Sequence, residues 1–393
     1  MDKQHFIDTY LIDRRGTNSM KWDDLDATFG RSDLISMWVA DMDFKTNERI
    51  VDAMVTRAQH GAFGYSLVPD SYYEALNTWM TERHKFPVSR DWVRFCTGCV
   101  TGIAWTIDAF TQPGDACLIL TPVYYPFHNV VTRNKRELVK VELAYDAGHY
   151  TMDFDAIERA IVEHDVKLFI QCSPANPAGR VWTEDELDRV LSICERHDVL
   201  VVSDEIHGDI TLGGAKFIPS ACVRGGAYRD RLITLTAASK TFNLASLAHS
   251  HIIICDDALR SRYDVWAGGM NRTEVNSLSI AATEAAYRYG GEWFDSVRGV
   301  IEENYMLARD RIVEALPDAT VVPLEGTYLM YIDIEPYVNK RDLRDFMVNV
   351  CRVAVDYGDQ FGDECPGFIR LNLATDPRLV ERAVASIIAA CLE

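Results

Sequence analysis

The sequence predicts an α/β fold in which a large doubly wound domain, built on a mixed and mostly parallel sheet, is joined to a smaller α+β domain. Two observations lead to this prediction. Short apolar segments alternate with amphipathic segments in the middle of the chain, and the last third changes to one long amphipathic segment followed by short strand-like runs. We therefore expect the large domain over 46–288 and the small domain over 1–45 and 289–393.

Five apolar segments in the middle of the chain have the length and composition of buried strands. Their nearly continuous apolar character is typical of parallel strands that helices cover on both faces. The segments are Ala116–Thr121, Lys167–Cys172, Val199–Ser203, Arg231–Leu235 and Ser250–Cys255. In a doubly wound fold, ligands bind beyond the carboxyl ends of such strands.

The clearest helix signal lies between two of these strands. Thr183 and Glu186 have capping-box spacing, and the apolar period that follows predicts a helix that continues to His197. The last third of the chain predicts the helix Glu292–Leu316, the strands Thr320–Val322 and Thr327–Ile332, and helices from Lys340 and from Asp376. The N-terminal forty-odd residues are expected to pack with the small domain or across a subunit interface.

Composition excludes several classes of partner. The formal net charge of −19 argues against nucleic acid and anionic membrane. The N-terminus lacks an apolar leader, and no apolar run reaches the roughly 18 residues of a membrane span. The ten cysteines lack framework spacing, and the Cys96–Cys99 pair lacks the second pair that a zinc site needs, so we expect reduced thiols, no metal and a cytoplasmic location.

Lys240 is the most informative single residue. It follows the predicted strand Arg231–Leu235 and stands between Ser239 and Thr241. A lysine at the end of a buried strand can form a Schiff base while neighbouring hydroxyls hold a phosphate. Most lysines are solvated surface charges, so this assignment depends on the other strand-end residues.

Two loops at predicted strand ends carry possible ligand-binding groups. Cys96–Gly102 places glycines before a helix-like run that ends at Phe110, where backbone N–H groups can face a phosphate. Ser173–Gly179 holds Asn176 between turn residues, with its amide available to a ligand oxygen. An ordinary turn and an Asx-turn are the alternative interpretations.

Two charged residues stand in or beside apolar strands. Asp204 follows a buried strand, where a carboxylate needs a partner such as a protonated pyridine nitrogen, although a helix N-cap is the alternative. Arg370 lies inside the apolar run Gly367–Leu373 and suits a substrate carboxylate, although an internal salt bridge is the alternative. A lysine, an acid, an amide, a phosphate cradle and an arginine together describe a site for pyridoxal phosphate and an amino acid.

The order and spacing of several motifs resemble fold-type I pyridoxal-phosphate enzymes of the aminotransferase class I/II superfamily. The likeness covers nearly the whole chain and is strongest to the MalY/PatB (cystalysin-like) cystathionine β-lyase branch. The motifs are Met37–Phe44, Phe63–Tyr65, Pro113–Asp115, Thr121–Phe127, Asn176–Gly179, Asp204–His207, Ser239–Asn243 and Arg370–Leu373.

The resemblance implies a role for each matching residue. The roles are Lys240 for the Schiff base, Asp204 for the pyridinium N–H, Asn176 for the ring 3′ oxygen, Tyr124 for stacking on the ring, Gly98, Cys99 and Ser239 for the phosphate, Tyr65 for the phosphate of a neighbouring subunit, and Arg370 for the substrate carboxylate. The reach of Tyr65 implies a homodimer with shared active sites.

The chain departs from the superfamily pattern at four positions. His207 stands where many aminotransferases carry tyrosine, and this histidine is typical of the lyase branch at the cofactor site. Ala248 stands where aminotransferases often carry a phosphate-binding arginine, so backbone, hydroxyls and Tyr65 must hold the phosphate. Ser246 replaces a frequent glycine and Cys99 a frequent valine, and nothing in the sequence explains either change.

The implied activity is α,β-elimination from L-cystathionine or related cysteine S-conjugates to a thiol, pyruvate and ammonia. Lys240 would remove the Cα proton while Asp204 keeps the ring protonated. A class I aminotransferase that uses the same residues is the nearest alternative, and His207 and Ala248 favour the lyase. A regulatory protein that retains the fold is a third possibility, against which Lys240 and Asp204 both argue.

Overall fold

The computed structural model describes residues 2–272 and 275–393. The α-helices in chain order are α1 (Lys3–Tyr10), α2 (Met20–Asp23), α3 (Leu25–Phe29), α4 (Glu48–Gln59), α5 (Asp70–His84), α6 (Cys99–Phe110), α7 (Pro126–Arg133), α8 (Phe154–Glu163), α9 (Glu184–Arg196), α10 (Ala238–Thr241), α11 (Asp257–Gly269), α12 (Ser277–Tyr289), α13 (Gly291–Ala315), α14 (Leu343–Asp345) and α15 (Pro377–Leu392).

The strands in chain order are β1 (Ile35–Ser36), β2 (Val93–Cys96), β3 (Ala116–Thr121), β4 (Glu137–Glu142), β5 (Ala144–Asp146), β6 (His149–Thr151), β7 (Leu168–Cys172), β8 (Leu200–Asp204), β9 (Leu232–Thr236), β10 (Ser250–Ile253), β11 (Thr320–Val321), β12 (Leu329–Asp333), β13 (Val353–Ala354), β14 (Asp356–Tyr357) and β15 (Phe368–Asn372). Within the described ranges, no helix combines the length and the apolar character that crossing a bilayer requires.

A seven-stranded sheet forms the centre of the fold, with the strand order β2-β10-β9-β8-β7-β3-β4. The pairs from β9 to β4 are parallel, whereas β10 is antiparallel to both of its neighbours. The predicted mixed and mostly parallel sheet is therefore confirmed. All five predicted strands exist, and β3 has the predicted bounds.

The parallel direction that we predicted for Ser250–Cys255 is wrong. This segment forms the antiparallel strand β10, which ends at Ile253. Because β10 lies between two other strands and is buried along its length, its apolar character carries no information about its direction. Strands β2 and β4 were not predicted. β2 has only four residues, and exposed charged residues alternate with buried ones in β4.

Helices cover both faces of this sheet. Cys117 and Ile119 of β3 belong to one buried cluster, together with residues of α6, α7 and α11. Leu118 and Leu120 of the same strand belong to a second cluster, which includes residues of α9 and α12. Alternate side chains of one strand thus enter two cores, as a doubly wound architecture requires.

A second, four-stranded antiparallel sheet with the order β11-β12-β15-β14 lies in the C-terminal third. The long helix α13 and the final helix α15 match their predictions, and the capping box of α9 is present. The helix predicted from Lys340 is only the short α14, which continues into a π-helical turn at Phe346–Val350.

The N-terminal segment contacts the C-terminal third, as expected. Strand β1 pairs in parallel with β13, and Phe6 of α1 packs 5.8 Å from the ring of Trp293 in α13. The division of the chain at 46 and 288 into two domains stays a prediction. All ten cysteines are free thiols.

Candidate active site

A cavity of about 270 Å³ lies at the carboxyl ends of β7, β8 and β9. Eight of the ten predicted site residues line it: Gly98, Cys99, Tyr124, Asn176, Asp204, His207, Ser239 and Lys240. The other lining residues are Ala40, Thr97, Val100, Thr101, Phe127, Cys172, Ile206, Ala245, Ala248, His249 and Ser250. Adjacent parallel strands bring Cys172 and Asp204 side by side, which explains why residues distant in sequence meet here.

Lys240 reaches the cavity from α10, the single helical turn that follows β9. Its Nζ donates a hydrogen bond to the carbonyl oxygen of Ala40 at 2.7 Å. Burial lowers the pKa of Lys240, and the charge of Arg370 acts in the same direction, against the opposing effect of Asp41. A lowered pKa increases the fraction of neutral amine, which is the form that attacks a carbonyl.

The Ala40 carbonyl belongs to a backbone segment that other elements hold tightly. Val39 has a φ of +56°, a left-handed conformation that is costly for a β-branched residue. Asn372 donates to the carbonyls of Val39 and Asp41, both at 2.6 Å, and Tyr328 donates to Ala40 at 2.8 Å. These bonds offset the cost of the unusual turn and fix the carbonyl that faces Lys240.

Asp204 is the last residue of β8, and its Oδ1 accepts a hydrogen bond from the backbone N–H of Ile206 at 3.2 Å. Burial raises the pKa of Asp204 to about 6, although Lys240 and the Cys99 thiol oppose this effect. Among the described residues, no lysine, arginine or histidine nitrogen lies within salt-bridge distance of this carboxylate. A buried acid of this kind suits a cationic ligand group.

Arg370 lies outside the cavity lining but contacts it through Asn176. Its Nη1 donates to Asn176 Oδ1 at 2.8 Å, and its Nη2 donates to Asp356 Oδ2 at 2.6 Å. Asp356 is the Cα partner of Arg370 across β14 and β15, so the internal salt bridge considered as the alternative is present. Because the Asn176 oxygen accepts from arginine, its amide N–H groups remain for a ligand acceptor. The Nε of Arg370 is buried without a partner among the described residues.

Two rings contribute to the walls beside Asn176. Burial raises the pKa of Tyr124 to about 12, so the phenol is neutral, and its ring lies 5.3 Å from that of Tyr125. Burial, Lys240 and Arg370 hold the pKa of His207 well below its usual range. His207 is therefore a neutral imidazole, and its buried Nδ1 lacks a partner within the described part of the chain.

Backbone groups and small side chains form the part of the cavity wall at the start of α6. Gly98 precedes α6 with a φ of +145°, and no side chain caps the helix, so its first N–H groups are available to an anion. Ser239, Thr101 and Ser250 add hydroxyl groups to this part of the lining. Ala248 also lines this part of the cavity and contributes no charge.

A family comparison adds to this geometry. The sequence profile of the family described as "Aminotransferase class I and II" matches residues 32–387. The chain belongs to this family. The resemblance inferred from the motifs is therefore confirmed.

Individual members of the family are similar over almost their whole length. Cystathionine beta-lyase PatB of Bacillus subtilis is 36% identical over 361 residues, which are 92% of this chain and 93% of PatB. Cystalysin of Treponema denticola, whose crystal structure contains pyridoxal 5′-phosphate, is 31% identical with a TM-score of 0.92 over 96% of this chain and 97% of cystalysin. The PLP-bound C-S lyase of Staphylococcus hominis is 34% identical with a TM-score of 0.91 over 98% of this chain and 97% of the lyase. These likenesses confirm the predicted fold-type I architecture.

Tyr65 is the one predicted residue that the structure places away from both the cavity and its immediate neighbours. It lies in the loop between α4 and α5 with its side chain fully exposed, beside the exposed side chains of Phe63 and Leu67. The predicted contact of Tyr65 with the phosphate of a neighbouring subunit, and the homodimer that it implies, stay predictions.

The sequence did not lead us to several residues that hold the lining of this cavity in place. Asn243 and Asn372 lie within the motifs Ser239–Asn243 and Arg370–Leu373. Their side chains form hydrogen bonds with backbone groups of the segment around Ala40, and an amide within a motif is a signal for such a role. Asp356 and Tyr328 gave no signal, because their contacts with Arg370 and Ala40 arise only from sheet register and long-range packing. His249 was also missed.

Proposed function

We propose that the protein is a pyridoxal-phosphate-dependent carbon–sulfur β-lyase. It would catalyse α,β-elimination of L-cystathionine or a related cysteine S-conjugate, in which the Cβ–S bond breaks, one water is consumed by hydrolysis, and the products are a thiol, pyruvate and ammonia. The names of PatB and of the Staphylococcus hominis C-S lyase support this reaction over transamination.

One observation carries the proposal. The Lys240 amine and the Asp204 carboxylate line one cavity, each shifted by burial toward its neutral form. An amine with a lowered pKa fits an aldehyde, and an acid without a cationic partner fits a ring N–H. The amine and the carboxylate therefore match the aldehyde and the ring nitrogen of pyridoxal phosphate.

Pyridoxal phosphate, when bound, supplies the carbonyl that condenses with amines and the ring that accepts electrons released at Cα. Asp204 would hold the ring nitrogen and Asn176 the 3′ oxygen through its amide N–H. Tyr124 would stack on the ring, and the neutral His207 would border it without adding charge.

The remaining residues would hold the phosphate and the substrate. The N–H groups at Gly98 and Cys99 and the hydroxyl of Ser239 would bind the phosphate, supported by the uncapped start of α6. Tyr65 of the partner subunit would reach the same phosphate in a homodimer. Arg370 would bind the substrate carboxylate through the part of its guanidinium that Asn176 and Asp356 leave available.

Lys240 would also move the proton that starts the elimination. Its Nζ is supported for this role by a lowered pKa and by a fixed position against Ala40. The free Nζ would take the proton from substrate Cα. We also propose a cytoplasmic location, which the ten free thiols support.

The test is pyruvate release from L-cystathionine by the cofactor-saturated protein without added keto acid. Sustained pyruvate with an equal amount of free thiol is expected. No pyruvate, together with a single conversion of the cofactor absorbance to the pyridoxamine form, would identify an aminotransferase instead. S-ethyl-L-cysteine in place of cystathionine tests the wider S-conjugate class.

A further inference from the structure

Two buried histidines, His249 and His251, lie at the phosphate end of the cavity. We use this name for the part that is lined by Gly98, Cys99, Ser239, Ala248 and Ser250. His249 lines the cavity with Ala248 and Ser250, and its side chain lies against Phe95 with ring centroids 5.2 Å apart. Its Nε2 is 2.7 Å from the hydroxyl of Tyr72 in α5. The same hydroxyl is 2.5 Å from Nε2 of His251, which is completely buried. The proposed function uses none of these three side chains.

The number of hydrogen bonds that each group can donate limits where protons can lie among His249, Tyr72 and His251. A phenol hydroxyl donates one hydrogen bond, so Tyr72 must donate to one ring and accept from the other. Burial raises the pKa of Tyr72 well above its usual range and lowers that of His251 to about 3, so both stay neutral. If Tyr72 donates to His251, it accepts from Nε2–H of His249. Nδ1 of His249 is then the position for a further proton.

The phosphate end needs such a proton because none of the other described residues that line this part of the cavity carries a formal positive charge. The start of a helix supplies only about half an elementary charge, whereas a phosphate monoester carries nearly two negative charges at neutral pH. Ala248 has a φ of +48° and only a methyl side chain at the position where the resemblance to aminotransferases would imply an arginine. Gly98, Cys99, Ser239 and Ser250 contribute neutral donors.

We propose that His249 donates Nδ1–H to the cofactor phosphate and, supported by Tyr72 and His251, takes the place of the missing arginine. This inference rests on the proposed function, because it requires pyridoxal phosphate in the cavity. Without an anion, burial lowers the pKa of His249 to about 4. A phosphate at hydrogen-bond distance opposes that shift and favours the imidazolium. Tyr73, Tyr287 and Glu284 are the other titratable groups that act on Tyr72.

The test compares two ligands that differ only in the phosphate. Dissociation constants of pyridoxal phosphate and of pyridoxal are measured by spectroscopic titration of the apoprotein, with no substrate present. His249→Asn is expected to weaken binding of pyridoxal phosphate about 10- to 100-fold, the range of a lost charge-assisted hydrogen bond, and to leave pyridoxal unchanged. His197→Asn, which alters a histidine paired with Glu158 at the end of α9, is the matched control.

Two further variants sharpen the result. Ala248→Arg in the His249→Asn background is expected to restore binding of pyridoxal phosphate. Tyr72→Phe should weaken it by less than His249→Asn, because the imidazole remains. Equal binding by the parent and His249→Asn, or an equal loss for both ligands, would overturn the inference. A parent protein that binds neither ligand would overturn the proposed function and this inference with it.

Discussion

The two ends of the cavity are built in different ways. At the ring and substrate end, charged or strongly polar side chains converge from strand termini: Asp204 from β8, Asn176 from the loop after β7, and Arg370 from the second sheet. At the phosphate end, a helix start, hydroxyl groups and a neutral histidine form the wall. In the proposed function, the first end depends on single side chains, whereas the second end combines several neutral donors with His249. Substitutions should therefore be more severe at the first end.

Lys240→Ala is expected to have the largest effect. Removal of the amine deletes both the covalent attachment and the proton acceptor, so the rate of pyruvate release should fall by about 10²–10⁴-fold or more. The variant should still bind pyridoxal phosphate non-covalently, because Asp204, Asn176 and the phosphate end remain. Borohydride reduction followed by mass spectrometry should label the parent and not the variant. Lys216→Ala alters an exposed lysine and serves as the control, and full activity of Lys240→Ala would contradict the assignment.

Arg370→Lys is the second prediction. An ammonium lacks the planar fork that can bond Asn176, Asp356 and a carboxylate at the same time. We expect KM for L-cystathionine to rise about 100-fold with a smaller change in kcat, as for loss of a charge-assisted pair of hydrogen bonds. Arg344→Lys, at an exposed pair with Asp359, is the matched control. An unchanged KM would show that the Asp356 pair, and not substrate, is the main role of Arg370.

The sequence predicted residues at strand ends, but it did not predict contacts between distant elements. Strand ends are visible in sequence because an apolar run followed by a polar residue marks them, and Asp204, Asn176 and Lys240 were found in this way. The direction of β10 was not predictable, because an interior strand is buried on both faces in either direction. The Asp356–Arg370 pair and the Tyr72 hydroxyl between two histidines depend on register and on packing between distant elements, for which a single sequence has no local signal.

Glu205→Gln tests the cost of burying the acid that directly follows Asp204. Glu205 Oε1 accepts from Ser203 and from the backbone of Ser220, whereas Oε2 lacks a partner within the described ranges. Burial raises the pKa of Glu205 to about 7 from an ordinary value of 4.5. The folded protein therefore binds this proton more tightly than the unfolded chain. Its contribution to stability is complete below pH 4.5 and is lost as the pH rises through 7.

The glutamine variant lacks this titration. It should match the parent near pH 5 and exceed it by about 2 kcal/mol in free energy of unfolding near pH 8. Thermal unfolding of the cofactor-free proteins at both pH values measures the difference, and Glu325→Gln, at a partly exposed acid paired with Arg180, controls for loss of an ordinary carboxylate. A constant difference between parent and variant at both pH values would show that Glu205 does not titrate with folding.

Tyr328→Phe is expected to have the smallest effect. It tests how strongly activity depends on the position of the Ala40 carbonyl, which accepts hydrogen bonds from Lys240 and Tyr328. The phenol shares the Ala40 carbonyl with Lys240, so its loss removes one of two donors but leaves Asn372 and Asn243 to hold the turn. One neutral hydrogen bond contributes about 0.5–1.5 kcal/mol, which predicts a 2- to 10-fold fall in kcat/KM. Tyr305→Phe removes a hydroxyl that accepts from the backbone of Leu324 and is the matched control. A loss as large as that of Lys240→Ala would mean that the position of the Ala40 carbonyl, and not the charged side chains, limits function at this end.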